Sequence, residues 1–292
     1  MPRPSRPRRR AAAVLASGAG LIFALSACSP SSGTAAPSPA GTGSGLPDAH
    51  VHGLSVNSET GQVLLATHDG LFDVSKKPAT KIGATNDLMG FTAAMDDGVF
   101  YASGHPGSDS TLPNPLGLIK TTDSGRTWEE LSRQGGSDFH ALTAIKSGIV
   151  GYDGSLRTSA DGRAWKTVDT AFQPAALAGN PYSNTVLATT TDGVQRSTDG
   201  GNTWQLEKSS PVIQFAAFAS ANEAVGVAPD CTVQYSADAG ATWTRKGHVS
   251  GEAQAVAATT GTDGKPRVWV ATSAGLVVST DGGSTFRSVD AS

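Results

Sequence analysis

Histidine is scarce in this chain, six residues in 292, and unevenly placed. His50, His52, His68, His105 and His140 all fall in the first half, and only His248 lies beyond them. Clustered imidazoles can hold a transition metal, and Met89 adds a thioether. In an oxidising compartment that pairing favours copper over zinc, which more often recruits cysteine or carboxylate. The expected metal set is His52, His140 and Met89, with His50, His68 and His105 as further ligands. The alternative is that these histidines are hydrogen-bonded polar residues lining a wet channel. Carboxylates offer a second chemistry. Asp87 and Asp138 are the pair best placed to flank a glycosidic bond, with Asp69 and Asp153 behind them. The competing role for all four is turn formation.

What must position these residues is a repeat. Ser197-Thr198-Asp199-Gly200-Gly201-Asn202-Thr203-Trp204 recurs as Ser236–Trp243 and Ser279–Phe286, with an earlier copy at Thr121–Trp128. A copy one residue shorter runs Ser159–Trp165. The aromatic positions Trp128, Trp165, Trp204, Trp243 and Phe286 follow one another at 37, 39, 39 and 43 residues. Strand-like sequence repeated near every forty residues predicts propeller blades. Within each phrase an Asp (Asp123, Asp161, Asp199, Asp238, Asp281) can bond backbone N–H groups further along a tight turn. A following Gly tolerates the positive φ, and the aromatic residue then packs inward.

One unit illustrates the expected strands: Ala175–Ala178, Thr185–Thr189, Gly193–Ser197 and Thr203–Glu207, separated by turn residues. A first unit begins at His52-Gly53-Leu54 and carries Ser75-Lys76-Lys77-Pro78 in place of the phrase, as terminal repeats often do. The count is six, which predicts an all-β, six-bladed propeller of four-stranded antiparallel blades. Aligning the inner strands gives an apolar column of Leu54, Phe91, Leu142, Leu177, Phe218 and Val256. Two residues earlier stand His52, Met89, His140, Ala175, Ala216 and Gln254. Four residues earlier stand His50, Asp87, Asp138, Gln173, Gln214 and Glu252. Period-two spacing puts the three columns on one side of each strand. The histidines then share the face opposite the phrases, with His248 in the entry loop of the last blade. A long loop, Gly104–Pro115, belongs to that face as well. A column before the phrases, Lys120, Arg157, Arg196, Tyr235 and Val278, reads as repeat pattern.

The phrase resembles the Asp-box (BNR) repeat of sialidases, Vps10-type receptors and a photosystem assembly factor, in which the box is structural. Three further stretches, His50-Val51-His52-Gly53-Leu54, Ala66–Phe72 and Asp138–Leu142, resemble bacterial Asp-box lipoproteins commonly labelled glycosyl hydrolases. That resemblance implies a hydrolase. However, sialidase chemistry needs an arginine triad, an acid/base Asp and a Tyr–Glu pair. The arginines here lie mostly in or beside the boxes and no Tyr follows Tyr235, so none of that catalytic set is carried over.

Arg3, Arg6, Arg8, Arg9 and Arg10 precede an apolar run from Ala11 to Leu25, the layout of a secretory signal. Leu25-Ser26-Ala27-Cys28 resembles a lipobox, which implies lipidation at Cys28. Residues 1–27 would be a signal peptide, 28–46 a lipidated Cys with a Ser/Pro/Gly/Thr-rich tether, and 47–292 the propeller. Loss of those five arginines takes the net charge from −3 to −8. An acidic domain disfavours nucleic acid as a partner. Cys231 would be the one remaining thiol and reads as a small apolar residue beside a turn.

These readings together describe a propeller anchored by lipid on the outer side of the cytoplasmic membrane. It would act as a binding scaffold for a protein or glycan, with a copper-type site on the histidine face. A glycoside hydrolase using the same face is the alternative, and a protein–protein assembly factor the second.

Overall fold

Alternating apolar residues and regularly spaced turns fold into six consecutive four-stranded antiparallel blades. The computed structural model describes residues 46–289; the expected signal and Cys28 lie outside them. Blade 1 comprises β1 (Val51–Val56), β2 (Val63–Thr67), β3 (Gly70–Asp73) and β4 (Thr80–Ile82). Blade 2 comprises β5 (Asn86–Ala93), β6 (Phe100–Pro106), β7 (Leu118–Thr121) and β8 (Glu129–Ser132). Blade 3 holds β9 (Ala141–Ile145), β10 (Gly148–Tyr152), β11 (Leu156–Ser159) and β12 (Lys166–Val168). Blade 4 holds β13 (Ala176–Gly179), β14 (Val186–Thr190), β15 (Gly193–Ser197) and β16 (Gln205–Leu206). Blade 5 runs β17 (Phe215–Phe218), β18 (Ala224–Val227), β19 (Thr232–Ser236) and β20 (Thr244–His248). Blade 6 runs β21 (Ala253–Thr260), β22 (Pro266–Thr272), β23 (Gly275–Ser279) and β24 (Arg287–Ser288). The first inner strand packs on the last, β1 on β21, so the ring closes without any strand being exchanged between blades.

Burial runs radially. Second strands such as β2 and β14 are buried at every position, because both of their faces meet neighbouring blades. The outermost strands are exposed and charged, as in Glu129-Glu130 and Arg245-Lys246, which discourages edge-to-edge pairing.

The repeated phrase joins the third and fourth strands and ties each blade to the one before it. At Asp199, Oδ1 accepts from the Ser197 hydroxyl (2.8 Å) and the Thr203 N–H (2.9 Å), while Oδ2 accepts from the Thr203 hydroxyl (2.7 Å). Asp123, Asp238 and Asp281 accept equivalent bonds. Hydrogen bonds from Thr127 hold the Asp123 carboxyl down at about 2. Asp281 is also held at about 2: burial pushes it up, and bonds from Thr285 and Ser279 outweigh that. Trp128, Trp165, Trp204, Trp243 and Phe286 each pack into the core shared with the preceding blade. The phrase glycine makes that approach close. At Gly125, where φ is +86°, a Cβ would lie 2.2 Å from Leu71 Cδ2 of blade 1. In blade 1, Asp73 and Ser75 replace the phrase, with the Ser75 N–H donating to Asp73 Oδ1 at 2.9 Å.

Three sequence expectations shift. The strand expected at Thr203–Glu207 shrinks to Gln205–Leu206 because Thr203 is held by the turn. In blade 5, Ala216 pairs with Gly226 as Leu177 pairs with Ala188, so the apolar column passes through Ala216 and not Phe218. Gln214 then replaces Ala216 two residues earlier, and Val212 replaces Gln214 four residues earlier. Finally, strict period-two alternation fails at the entrance. Register shifts fall at His52 in β1, Met89 in β5 and Gln254 in β21, each an extra residue inserted into its inner strand.

Candidate functional site

The bulges lie where inner strands begin, and there the first three blades bring their histidines and carboxylates together. His50 precedes β1, His52 is the bulged residue of β1, and His68 sits in the β2–β3 turn. That turn is held by the Thr67 hydroxyl, which donates to the Gly70 carbonyl at 2.9 Å and accepts from the Asp69 N–H at 3.1 Å. A backbone bond from His68 N–H to the His50 carbonyl (3.3 Å) ties the two segments together.

One ring nitrogen from each of His50, His52 and His68 lies within 4.8 Å of the others, a separation from which small side-chain rotations converge on one ion. The His52 and His68 rings stand at 83° with centroids 4.3 Å apart. His52 Nε2 is 3.3 Å from both nitrogens of His68. Asp87 enters from blade 2, with Oδ1 2.8 Å from His68 Nδ1 and 3.9 Å from His52 Nε2.

A second group adjoins the first. Asp138 Oδ2 lies 3.2 Å from His105 Nε2 and 3.4 Å from His140 Nε2. The other nitrogen of His105 is 2.7 Å from Asn114 Oδ1. That contact and the Leu116 N–H bond to the Gly104 carbonyl (2.8 Å) fold the long loop back on its own base. Both carboxylates keep one unsatisfied atom. Among the described residues, five buried side-chain polar atoms lack an aligned hydrogen bond, and Asp87 Oδ1 and Asp138 Oδ1 are two of them. The short His68 approach to Asp87 is therefore a close polar contact without hydrogen-bond alignment. Buried acceptors left so cost about 1–3 kcal/mol each, which a bound ligand would relieve.

Electrostatics separates the histidines. Burial, then the neighbouring charges of His68 and His50, push His52 down to about 4, against the opposing pull of Asp87. His52 is thus neutral at ordinary pH, the form that ligates metals. His105 is raised, first by its bond to Asn114; burial opposes this, and Asp138 and Asp87 add to it. His140 also lowers His52, so the two groups feel each other.

The expected set is therefore regrouped. His52 joins His50 and His68, His140 and His105 share Asp138, and Met89 occupies the bulge of β5, half-buried. His248 is not in an entry loop. It ends the outer strand β20, paired with Thr232 at the rim of the same face. Asp153, expected behind the carboxylate pair, is committed to structure by Ser137 (2.6 Å), Arg157 (2.9 Å) and Arg133 (3.4 Å). Arg196 likewise serves the scaffold by donating to the Ala239 carbonyl at 2.9 Å. Cys231 is half-buried on a turn at φ +63°, its thiol 3.3 Å from the Gly251 carbonyl. Asn114 escaped sequence reading; its signal was its place between Pro113 and Pro115 in a loop that begins beside His105.

No protein-family profile matches this sequence, and no curated protein does. Solved structures do share its fold. A GH74 enzyme from Niastella koreensis superposes with a TM-score of 0.61 at 18% identity, over 82% of this chain and 37% of the enzyme. A GH74 xyloglucanase from Xanthomonas campestris gives 0.61 at 15% identity, over 82% and 38%. YCF48 from Cyanidioschyzon merolae gives 0.52 at 10% identity, over 80% and 96%. The chain spans little more than a third of the two GH74 enzymes. At these identities the likeness is one of fold, shared by hydrolases and by other propellers alike.

Proposed function

We propose that this protein is an exported, lipid-anchored propeller serving as a binding scaffold, and that its histidine face holds a copper-type metal ion. The anchor is Cys28, in the Leu25-Ser26-Ala27-Cys28 sequence. The observation that carries the metal reading is the convergence of His50, His52 and His68 within 4.8 Å, beside a carboxylate with an unsatisfied oxygen. Three imidazoles and a carboxylate form a donor set that Cu(II) accepts, and among the described residues no cysteine belongs to the group. His50 and His68 are exposed, so the bound ion would remain open to exchange or to a ligand from solution. Titration of the metal-free protein with Cu2+, followed by electron paramagnetic resonance and calorimetry, tests this. One tightly bound ion with nitrogen coupling is expected, weakened at least tenfold in His52→Ala and His68→Ala. Stoichiometric binding untouched by both substitutions would remove the proposal.

A glycoside hydrolase is the second reading, favoured by the two unsatisfied oxygens of Asp87 and Asp138. Turnover of glycosides that disappears in Asp138→Asn would rank it first. A protein-assembly role would show no dependence on any of these histidines.

A further inference from the structure

A cavity opens on the opposite face. It is the other end of the central channel, about 490 Å³ in volume, within the range of small-molecule sites. Its wall is the apolar ring Leu54, Phe91, Leu142, Leu177, Ala216 and Val256, one residue from each inner strand. Toward the mouth the chemistry changes. Glu59, Asp96 and Asp97 line it, in the loops after β1 and β5, and no Lys, Arg or His does. Lys146 and Lys265 occupy other loops of the same face outside the lining. Asn57 donates to Asp97 and, through its carbonyl oxygen, accepts from the Glu59 N–H at 2.9 Å, which holds two of the acids at this rim.

The mouth also carries exposed apolar surface. Only three large hydrophobic side chains are strongly exposed among the described residues, and two line this cavity: Met95 at 64% and Tyr182 at 53%. They come from blades 2 and 4, Met95 in the loop after β5 and Tyr182 in the loop after β13. Isolated exposed apolar residues need no explanation. Two that line one channel walled by a ring of apolar side chains, where every charged lining residue is acidic, form a surface complementary to one kind of molecule.

We propose that this end of the channel binds a small amphiphilic organic cation. The apolar body would enter the ring, its ammonium staying at the rim beside Asp96, Asp97 and Glu59. Tyr182 presents an aromatic surface that also favours a cation. The site is independent of the metal reading, because none of its lining residues belongs to the histidine face.

Calorimetric titration of the full-length protein with 4-phenylbutylammonium, 4-phenylbutanol and 4-phenylbutanoate tests this, with chelator present. The cation should bind at one site, about fivefold tighter than the alcohol, which is the gain expected of one ion pair at a solvated rim, and the carboxylate should bind worst. In Asp96→Asn/Asp97→Asn the cation should fall to the level of the alcohol. Ala216→Trp, which fills the channel, should abolish binding of all three while retaining the wild-type circular dichroism. His52→Ala should bind all three ligands unchanged. Equal affinity for cation and carboxylate, or binding that survives Ala216→Trp in a folded protein, would overturn the proposal. If Ala216→Trp fails to fold, Leu177→Phe supplies a milder obstruction with the same required outcome.

Discussion

The two faces of the propeller obey different rules. On one, four copies of a turn phrase repeat the same bonds, the shorter copy at Asp161 accepts from the Arg163 and Ala164 N–H groups, and the aromatic residues of all five fill the cores between successive blades. On the other, the blades diverge. Blades 1 to 3 bring five histidines and two carboxylates to the entrance, where blades 4 to 6 offer Ala175, Gln214 and Gln254. On the first face Asp199 gives both of its oxygens to hydrogen bonds. The second leaves Asp87 Oδ1 and Asp138 Oδ1 unsatisfied and crowds neutral His52 between two other imidazoles. The repeated turns hold the blades together, and the two unsatisfied carboxylates stand where the repeats diverge.

That contrast can be tested by substitution. Trp204→Ala should cost about 3 kcal/mol in urea unfolding, because it empties part of the core between blades 3 and 4. Gly125→Ala should cost roughly 2 kcal/mol, since it forces a Cβ onto Leu71 at a positive φ. His52→Ala, by contrast, should change metal-free stability by less than about 1 kcal/mol. Saturating Cu2+ at about a hundredfold over its Kd should add about 2.7 kcal/mol to the wild type and much less to this variant. If His52→Ala proved as damaging as Trp204→Ala, the division of labour between faces would be wrong.

Acid titration sharpens the same comparison, because the faces respond in separate windows. Asp123 and Asp281 have folded pKa values of about 2, below 3.8. Their contribution is complete above pH 3.8 and is lost as pH falls through about 2. His52 is lowered from 6.5 to about 4, so the unfolded chain takes up its proton first. Its contribution is complete above pH 6.5 and declines as pH falls toward 4. Metal-free His52→Ala should therefore flatten the stability profile between about pH 6.5 and 4 and leave the steeper loss below pH 4 in place. A variant profile parallel to the wild type across both windows would contradict the assignment.

Much of this was legible in the residues. The spacing of Trp128, Trp165, Trp204, Trp243 and Phe286 announced five blades, because each copy encodes its own turn through local bonds, and the phrase-less unit that begins at His52-Gly53-Leu54 made the sixth. The five histidines were recognisable as a cluster on one face for the same reason: repeats place equivalent positions at equivalent heights. Their partners were not. Period-two reasoning aligned His52 with Met89 and His140, but each bulge adds a residue that changes which neighbours a side chain meets. Asn114 was hidden because its partner His105 is met only when the long loop folds back.

Local chemistry therefore determined the repeat, its turns and the sidedness of the blades, since those depend on contacts within a few residues. Closure of the ring decided the rest. It set Asp87 of blade 2 against His68 of blade 1, and Asp138 of blade 3 against His105 of blade 2. It also made a cavity from six apolar residues that no single blade could enclose. Distances across a channel depend on how twisted sheets pack around a common axis, and no stretch of chain encodes that packing by itself.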